Sequence, residues 1–356
     1  MSALRITIGA DPELFVRNKK TGLFVSAHDL MPGTKDAPHK VDLGAIQVDG
    51  VAAEFNIDPT ESAQQFVTNI SAVTGQLSKI IGTDYELVSQ PTCVFPEDYF
   101  KSLPDHVREL GCNADYNAWT GQVTKKPDGD STTMRTGAGH IHIGWCEKAD
   151  PGDPIHFDDC AIIAKQLDYY LGMYSLRWDQ DTKRRSLYGK AGCFRAKPYG
   201  MEYRSLSNVW LGSPKLQSWV WNAAQRAVVD LIQNGNRVED KLGDIAQRFI
   251  DGNEVWWEPS SQGKSSDHKK AFQLSAYTNL DVPPALPKPK TPEELKAEAN
   301  KPKPKHSYGT VSGGRRYFSQ SLQASLQALE ESGIIAPQGL KYSPSTGMYF
   351  IWEPKT

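Results

Sequence analysis

The residues in this chain best suited to chemistry are carboxylates and imidazoles spaced two apart. Asp11 and Glu13 occur in Gly9-Ala-Asp-Pro-Glu-Leu-Phe15, and His140 and His142 in Gly137-Ala-Gly-His-Ile-His-Ile-Gly-Trp145. Side chains alternate along a β-strand, so each pair shares one face. Glu54 stands alone in Val51-Ala-Ala-Glu-Phe-Asn-Ile57, but its face carries only Ala52 and Asn56, which leaves room beside it. Glu202 and Arg204 repeat the two-residue spacing. Taken singly, each has a bland reading: a wet strand face, or a half-exposed histidine. Taken together they would suit a sheet with one polar face that cradles cations. Carboxylates with imidazole and no thiolate favour Mg²⁺ or Mn²⁺ over structural zinc. Mg²⁺ commonly shares its coordination sphere with phosphate. The basic stretch from Arg184 to Lys197, with Arg185 and Arg195 inside it, would supply counter-charge for phosphate or carboxylate. Lys35, in the turn Pro32-Gly-Thr-Lys35, is a weaker phosphate candidate than a surface turn residue.

The elements that must position these residues read as strands and helices in mixed order. Leu4 to Val16 is expected as a first strand. Ala45 to Asp58 is expected as a hairpin turning at Asp49-Gly50, a two-residue turn signal. Asp58, Pro59 and Glu61 suggest a capped helix start, and Phe66, Val67, Ile70, Val73, Leu77, Ile80 and Ile81 follow at helical spacing as a core stripe. Glu86-Leu-Val is expected as a strand, Asp105 to Leu110 as a short helix, and Gly111 to Trp119 as a loop. Further helices are expected over Phe157–Trp178, from Ser213-Pro214 to Asn234, and over Val238–Ile250. The composition turns rich in proline and lysine from Asp281 to Lys305, which reads as a linker or extended arm. Foldable character returns after it, with a helix expected over Gln320–Ser332 and a small hairpin over Lys341–Trp352. The expected organisation is therefore a catalytic domain over 1–280, an arm over 281–306 and a small appendage over 307–356.

The totals exclude several classes. The chain has 356 residues, 39% hydrophobic and 23% charged, as in ordinary globular proteins. Its formal net charge of -2 argues against a general polyanion-binding surface, so nucleic acid is expected only through the basic arm. No apolar run reaches the roughly 18 residues of a membrane span. The first residues enter a strand pattern at once, with no signal-peptide character. Cys93, Cys112, Cys146, Cys160 and Cys193 form no Cys-x-x-Cys pair, which points to buried thiols in a reducing, cytoplasmic compartment.

Four of these stretches, in this order, resemble the phage-type COOH–NH2 ligases (amidoligases, type 2) of the glutamine synthetase-like and glutamate–cysteine ligase-like superfamily. They are Gly9–Phe15, Asp49–Asn56, Gly137–Gly144 and Phe194-Arg-Ala-Lys-Pro-Tyr-Gly-Met-Glu-Tyr-Arg204. The resemblance implies an α+β fold, a glutamine synthetase-like catalytic domain with a curved, mainly antiparallel sheet and helices packed on its outer face. It implies two divalent ions, Mg²⁺ or Mn²⁺, between ATP and substrate. Asp11, Glu13, Glu54, His140 and Glu202 then resemble metal ligands. Asp11 is shorter than the glutamate of glutamine synthetases, and a second acid near Glu54 is not securely matched. His142 resembles a contact to nucleotide phosphate, with Arg195, Lys197 and Lys35 as further cofactor contacts. Arg204 resembles the arginine on the transferring phosphate or substrate carboxylate, and Arg195 and Arg185 are looser matches. The implied activity is ATP-dependent amide formation through an acyl phosphate, on small-molecule or peptide carboxylates and amines, in the cytoplasm of a host if the gene is phage-borne. Oligomeric state stays open. So do two competing readings: a metal-dependent hydrolase using the same acids on water, and a non-catalytic phage assembly or nucleic-acid-binding protein acting through the basic arm.

Overall fold

In the computed structural model, the described residues are 5–109, 115–124 and 132–286, together with the backbone of three short strands near the C-terminus. The chain divides into a unit Met1–Pro287 and a unit Lys288–Thr356. The first unit is built on two antiparallel sheets. Its strands are β1 (Thr7–Ala10), β2 (Glu13–Asn18), β3 (Phe24–Val25), β4 (His39–Val41), β5 (Gly44–Asp49), β6 (Ala52–Ile57), β7 (Tyr85–Val88), β8 (Thr92–Val94), β9 (Tyr116–Asn117), β10 (Gln122–Val123), β11 (Met134–Thr136), β12 (Ile141–Gly144), β13 (Cys193–Lys197) and β14 (Gly200–Tyr203). One sheet runs β1-β12-β14-β13-β9-β10; the other runs β3-β2-β6-β5-β4, with β7 also on β2. A two-stranded ladder of β8 and β11 stands apart from both.

The expected first strand is two strands. The chain leaves one sheet and enters the other at Asp11-Pro12. β1 pairs with β12, and β2 pairs with β6. Between them, Asp11 N–H donates to His140 O at 3.4 Å, Glu13 N–H to Ala138 O at 2.9 Å, and Phe55 N–H to Pro12 O at 3.2 Å. Pro12 has no N–H to donate, so it suits a point where the ladder changes partners. The two sheets are thereby stitched edge to edge along one crossing segment, and it carries the two acids.

Strand register sets which residues share a face. Across the first sheet Gly9 pairs with His142, His142 with Glu202, and Glu202 with Arg195. The neighbouring rows are apolar. Ile8 faces Ile143, then Met201, then Ala196; Ile141 faces Tyr203, then Phe194. Those rows point the other way and are buried, apart from the half-buried Ala196. The helix Pro154–Leu167 packs on β13 and β14, and the helix Pro214–Ile232 packs against β1. In the second sheet Gln47 pairs with Glu54 and Glu54 with Glu13. The helix Ala63–Ile81 packs behind β5 and β6 with Phe66, Ile70, Val73, Leu77 and Ile81 buried, while Val67 is half-buried and Ile80, expected in the stripe, turns to solvent. Full burial of each such side chain contributes about 1.5–3 kcal/mol, which holds the helices to one side and leaves the polar rows on the other.

Several local expectations need correction. The helix at Ala63 is capped by Ser62, whose side chain accepts from Gln65 N–H, and not by Asp58. Asp58 to Thr60 instead extend toward β1, where Thr60 bridges to Ile8. The long helix from Phe157 starts at Pro154 behind an Asp153 cap and passes into a π-turn over Asp168–Gly172. Val238–Ile250 is two helices, Glu239–Leu242 and Ile245–Gly252, split at Gly243. Tyr116 and Asn117, expected in a loop, form an inner strand of the first sheet. The start of the expected arm packs on this unit, where Trp219 donates to Asp281 O at 3.2 Å. The hairpin forms, but its turn is Gly50-Val51 and not Asp49-Gly50: Asp49 stays in β5 and pairs with Ala52, and Gly50 takes the positive φ of 56.

In the second unit the strands Arg315–Tyr317, Leu340–Ser343 and Met348–Trp352 form an antiparallel sheet, so the expected hairpin over Lys341–Trp352 has its two arms. The Lys288–Lys305 arm and the expected helix over Gln320–Ser332 lie outside the described residues. No helix among the described residues is long and apolar enough to cross a membrane.

Candidate active site

The two polar rows meet at the crossing segment. Asp11 is the hinge between them. Its Oδ1 lies 2.9 Å from His142 Nε2 and 3.4 Å from His140 Nδ1. Glu202, 1% exposed, reaches the same place from β14, with Oε1 3.3 Å from His140 Nδ1. Ligand atoms of Asp11, His142 and Glu202 all lie within 4.8 Å of one another, and so do those of Glu13, Asp49 and Glu54. These are two adjoining groups, one in each sheet.

The glycine-rich entry to β12 is tight rather than loose. A Cβ at Gly139 would sit 2.2 Å from Ser207 O and 2.5 Å from Trp210 Nε1. Trp210 Nε1 in fact donates to Gly139 O at 3.0 Å. This close packing carries His140 and His142 to the acids.

Burial and repulsion dominate the electrostatics. Glu13 is pushed up to about 7, by burial first and then by Asp49; its carboxylate accepts Ala138 N–H at 3.0 Å. Glu54 is held well above the usual carboxylate range by burial and then by Asp11, Asp49 and Glu13. Acids that repel one another in a buried site are what a bound cation would relieve. Asp11 differs. Burial pushes it up, but the imidazoles of His142 and His140 outweigh that and hold it well below the usual range. His140 is driven down to about 3 by burial and then by Arg204.

Cations close the other side. Arg204, buried, pairs with Glu202 and lies with Nε 2.6 Å from Asp115 Oδ1. Arg195 NH2 lies 3.2 Å from Asp115 Oδ1, Lys197 Nζ 2.9 Å from Glu202 Oε2, and Lys35 Nζ 2.8 Å from Asp49 Oδ1. Acids and cations together line a cavity of about 190 Å³.

The structure thus brings together Asp11, Glu13, Glu54, His140, His142, Glu202, Arg204, Arg195, Lys197 and Lys35. It does not bring in Arg185. That guanidinium is buried elsewhere, donating to Asp179 O at 3.1 Å and Asn253 Oδ1 at 2.9 Å and pairing with Asp179 Oδ2 at 3.3 Å. The two histidines also differ from expectation. His140 has both ring nitrogens engaged by protein: Nδ1 accepts from Arg204 at 3.2 Å, and Nε2 lies 3.1 Å from Tyr188 OH. His142 instead aims Nε2 at Asp11 while Nδ1 meets Tyr199 OH. Asp49 and Asp115 join the site without having been singled out. Asp49 read as a turn residue, although its place two residues after Gln47 put it on the face that carries Glu54. Asp115 lies in a polar aromatic stretch with no periodic signal.

Asp11 Oδ1 and His142 Nε2 are buried atoms that face each other at 2.9 Å. Adjacent ligands on an octahedral ion at about 2.0–2.1 Å stand about 3 Å apart, which is their observed separation. With Nδ1–H directed to Tyr199 OH, Nε2 would be free to ligate. The donor set is oxygen with one imidazole, as expected for Mg²⁺ or Mn²⁺.

No curated protein matches the chain. It is similar to a bifunctional glutathione synthetase from Pasteurella multocida, with 11% identity, a TM-score of 0.32 and coverage of 78% of this chain. The chain spans about half of that protein, 49% of its length. Residues 132–272, which include His140, His142, Arg195, Lys197, Glu202 and Arg204, match the family model of the phage phiEco32-like COOH–NH2 ligases of type 2, the family that the sequence motifs resemble.

Proposed function

We propose that this protein is an ATP-dependent carboxylate–amine ligase with a glutamine synthetase-like site. The observation that carries the reading is the pairing of two groups of candidate ligands with four cations, all but His142 lining one cavity. Asp11, His142 and Glu202 would hold one divalent ion, and Glu13, Asp49 and Glu54 a second. Bound there, the ions would supply positive charge to the phosphates of ATP. The family match over residues 132–272 supports a ligase, and the charge arrangement supports its use of ATP.

Chemically, a free carboxylate is a poor electrophile at neutral pH. Transfer of the terminal phosphoryl group of ATP to a carboxylate oxygen gives an acyl phosphate and ADP. An amine then attacks the carbonyl carbon, phosphate leaves with the C–O bonding pair, and the nitrogen loses a proton to give the amide. The chain's own part is positioning and charge. Arg204, locked by Glu202, Asp115 and Tyr188, would set a fixed positive charge beside the cavity. Arg195 and Lys197, less buried than Arg204, face the same cavity and would hold phosphate oxygens. Lys35 would do so from the opposite sheet. The phosphate contact expected of His142 passes in this reading to these cations, and His140 becomes the group that orients Arg204 through Nδ1.

The test is amine-dependent ADP release by Glu202→Gln and His140→Ala. Both variants should lose it while keeping the folded circular dichroism spectrum. Unchanged turnover in either folded variant would remove that residue from the site, and turnover without ATP would point to a hydrolase.

A further inference from the structure

His142 has a partner that the proposed reaction leaves without a task. Its Nε2 lies 2.9 Å from Asp11 Oδ1, and its Nδ1 meets the hydroxyl of Tyr199. The two rings are tilted by 40° with centroids 5.9 Å apart. Tyr199 also lines a cavity of about 400 Å³ beside the acids and is 38% exposed.

The backbone builds this contact. Pro198 and Tyr199 form the turn between β13 and β14, where Lys197 pairs with Gly200. That turn is tied to the end of β12. Tyr199 O accepts from Trp145 N–H at 3.0 Å and from Cys146 N–H at 3.2 Å, and Pro198 O accepts from Ala149 N–H at 2.8 Å. Gly200, at φ 146, lets the turn lie this close, since a Cβ there would stand 2.2 Å from Ile143 O. The segment that carries His142 thus holds the turn that carries Tyr199, and the hydroxyl stays on the imidazole.

The chemistry of the pair gives the contact a purpose. A neutral imidazole carries one N–H, and a ring that ligates through Nε2 must carry it on Nδ1. Without an ion, the 2.9 Å approach to a carboxylate oxygen suits an Nε2–H donated to Asp11. Nδ1 then needs a donor. With an ion on Nε2, Nδ1–H needs an acceptor. A carbonyl or carboxylate beside Nδ1 would serve only the second state, because it cannot donate. A hydroxyl serves both: it donates to Nδ1 in the first, and in the second it turns its hydrogen to the cavity and accepts.

We propose that Tyr199 is the positioning residue for His142, holding the ring in one orientation through both tautomers so that Nε2 is already aimed at the ion site. The exchange is neutral: the ring gives up the proton on Nε2 and takes one on Nδ1. The proposal rests on the ion site of the ligase reading and not on ATP or the amine.

The probes are Mn²⁺ and Mg²⁺ alone, added to the full chain without nucleotide. Followed by the paramagnetic resonance of free Mn²⁺, Tyr199→Phe, which removes only the hydroxyl, should weaken one ion by about 10- to 100-fold. It should be the ion that His142→Ala loses, and the ion on Glu13, Asp49 and Glu54 should keep its affinity. Nitrogen NMR of the histidine-labelled chain, with His142 assigned by its loss in His142→Ala, reads the contact itself. In wild type Nδ1 should be a hydrogen-bond acceptor without ion and a protected N–H with Mg²⁺. Tyr199→Phe should lose both signatures, whereas a tyrosine that only filled space would leave them unchanged. If Tyr199→Phe does not fold, the wild-type spectra carry the test. A His142 whose Nδ1 is protonated with and without Mg²⁺ overturns the proposal. Mn²⁺ binding that His142→Ala removes and Tyr199→Phe leaves unchanged overturns it alone, with the ion site intact. Wild type that binds no Mn²⁺ overturns it together with the ion site. The expected binding and spectra in a protein that releases no ADP with any amine keep the role of Tyr199 and remove the ligase reading.

Discussion

Glu13 stands directly opposite Glu54 on the β2–β6 ladder, and both carboxyls are buried. Like charges directly opposite one another destabilise a sheet. Glu13 is pushed up to about 7, by burial first and then by Asp49. Between about 4.5 and 7 the folded chain therefore keeps a proton that the unfolded chain has released. Stability from this group is fully present below about 4.5 and is lost as pH rises through 7. His140 works against it. Driven down to about 3, it stays neutral when folded, so its contribution is lost as pH falls below 6.5. Comparing wild type with Glu13→Gln separates the two. The stability of wild type relative to Glu13→Gln should fall from pH 4.5 to 7.5 in metal-free buffer. Thermal unfolding across that range checks it; a constant difference would mean that Glu13 titrates normally.

Adding a divalent ion should reverse the penalty. At pH 8 without metal, Glu54→Gln should unfold at or above wild type, because it puts a neutral group where burial, Asp11, Asp49 and Glu13 all disfavour a charge. With millimolar Mn²⁺ or Mg²⁺, wild type should gain stability by mass action, and Glu54→Gln should gain much less. Unfolding temperatures with and without metal decide the matter. An equal metal-induced rise in both proteins would put the ion elsewhere.

Arg204 is where charge and geometry separate. Removing it by Arg204→Ala leaves Glu202 to Lys197 and Asp115 to Arg195, with the two acid side chains 1% and 4% exposed. Breaking a buried pair that leaves a charge alone costs about 3–5 kcal/mol, and the remaining partners should hold this loss to the lower end of that range. Arg204→Lys keeps the charge but not the fork that reaches Glu202, Asp115 and Tyr188. It should fold with a smaller loss, and amine-dependent ADP release should drop about 100-fold or more. Denaturant titration and kcat on the same samples separate the two effects. Full activity in Arg204→Lys would show that the fork is dispensable.

The residues of the site were more legible in the sequence than the paths that deliver them. His140, His142, Glu202 and Arg204 could be read from two-residue spacing because β12 and β14 are neighbours in one sheet, and period two survives pairing. The core stripe from Phe66 to Ile81 was legible for the same kind of reason. The break at Asp11-Pro12 was not, because an alternating pattern does not say when a strand changes sheets. The Ser62 cap was hidden behind an equally good local signal at Asp58, and tertiary pairing of Thr60 with Ile8 decided between them. Arg185 shows the opposite failure. It lies in a basic run that looks phosphate-binding, but its neighbour in space is Asp179, which spacing could not reveal.

That placement makes Arg185 a structural residue. Arg185→Ala leaves Asp179, 1% exposed, as a buried charge without its partner, at a cost of about 3–5 kcal/mol. Replacing both, as Arg185→Met with Asp179→Asn, should recover a good part of that stability. The double variant should keep the wild-type KM for ATP, measured under conditions where it is folded. A KM raised 10-fold or more in the folded double variant would return Arg185 to the nucleotide site.

Asp168 is a second buried acid, placed behind the site. In the π-turn its two oxygens accept from Trp119 Nε1 and from Tyr203 OH, each at 2.6 Å. Burial, more than any neighbour, pushes it up to about 7. Tyr203 lies between Glu202 and Arg204 in sequence and points to the other face, so this bond anchors the back of the strand that presents them. Asp168→Ala would leave the buried Tyr203 hydroxyl unsatisfied, at about 1–3 kcal/mol, and the half-buried Trp119 N–H as well, at less. Asp168→Asn can keep its oxygen on Trp119 and donate its amide to the Tyr203 hydroxyl, so it should cost about 1 kcal/mol. The contrast is checked by denaturant titration of both variants. Equal losses would mean that volume, and not the pair of hydrogen bonds, is what the π-turn supplies to β14.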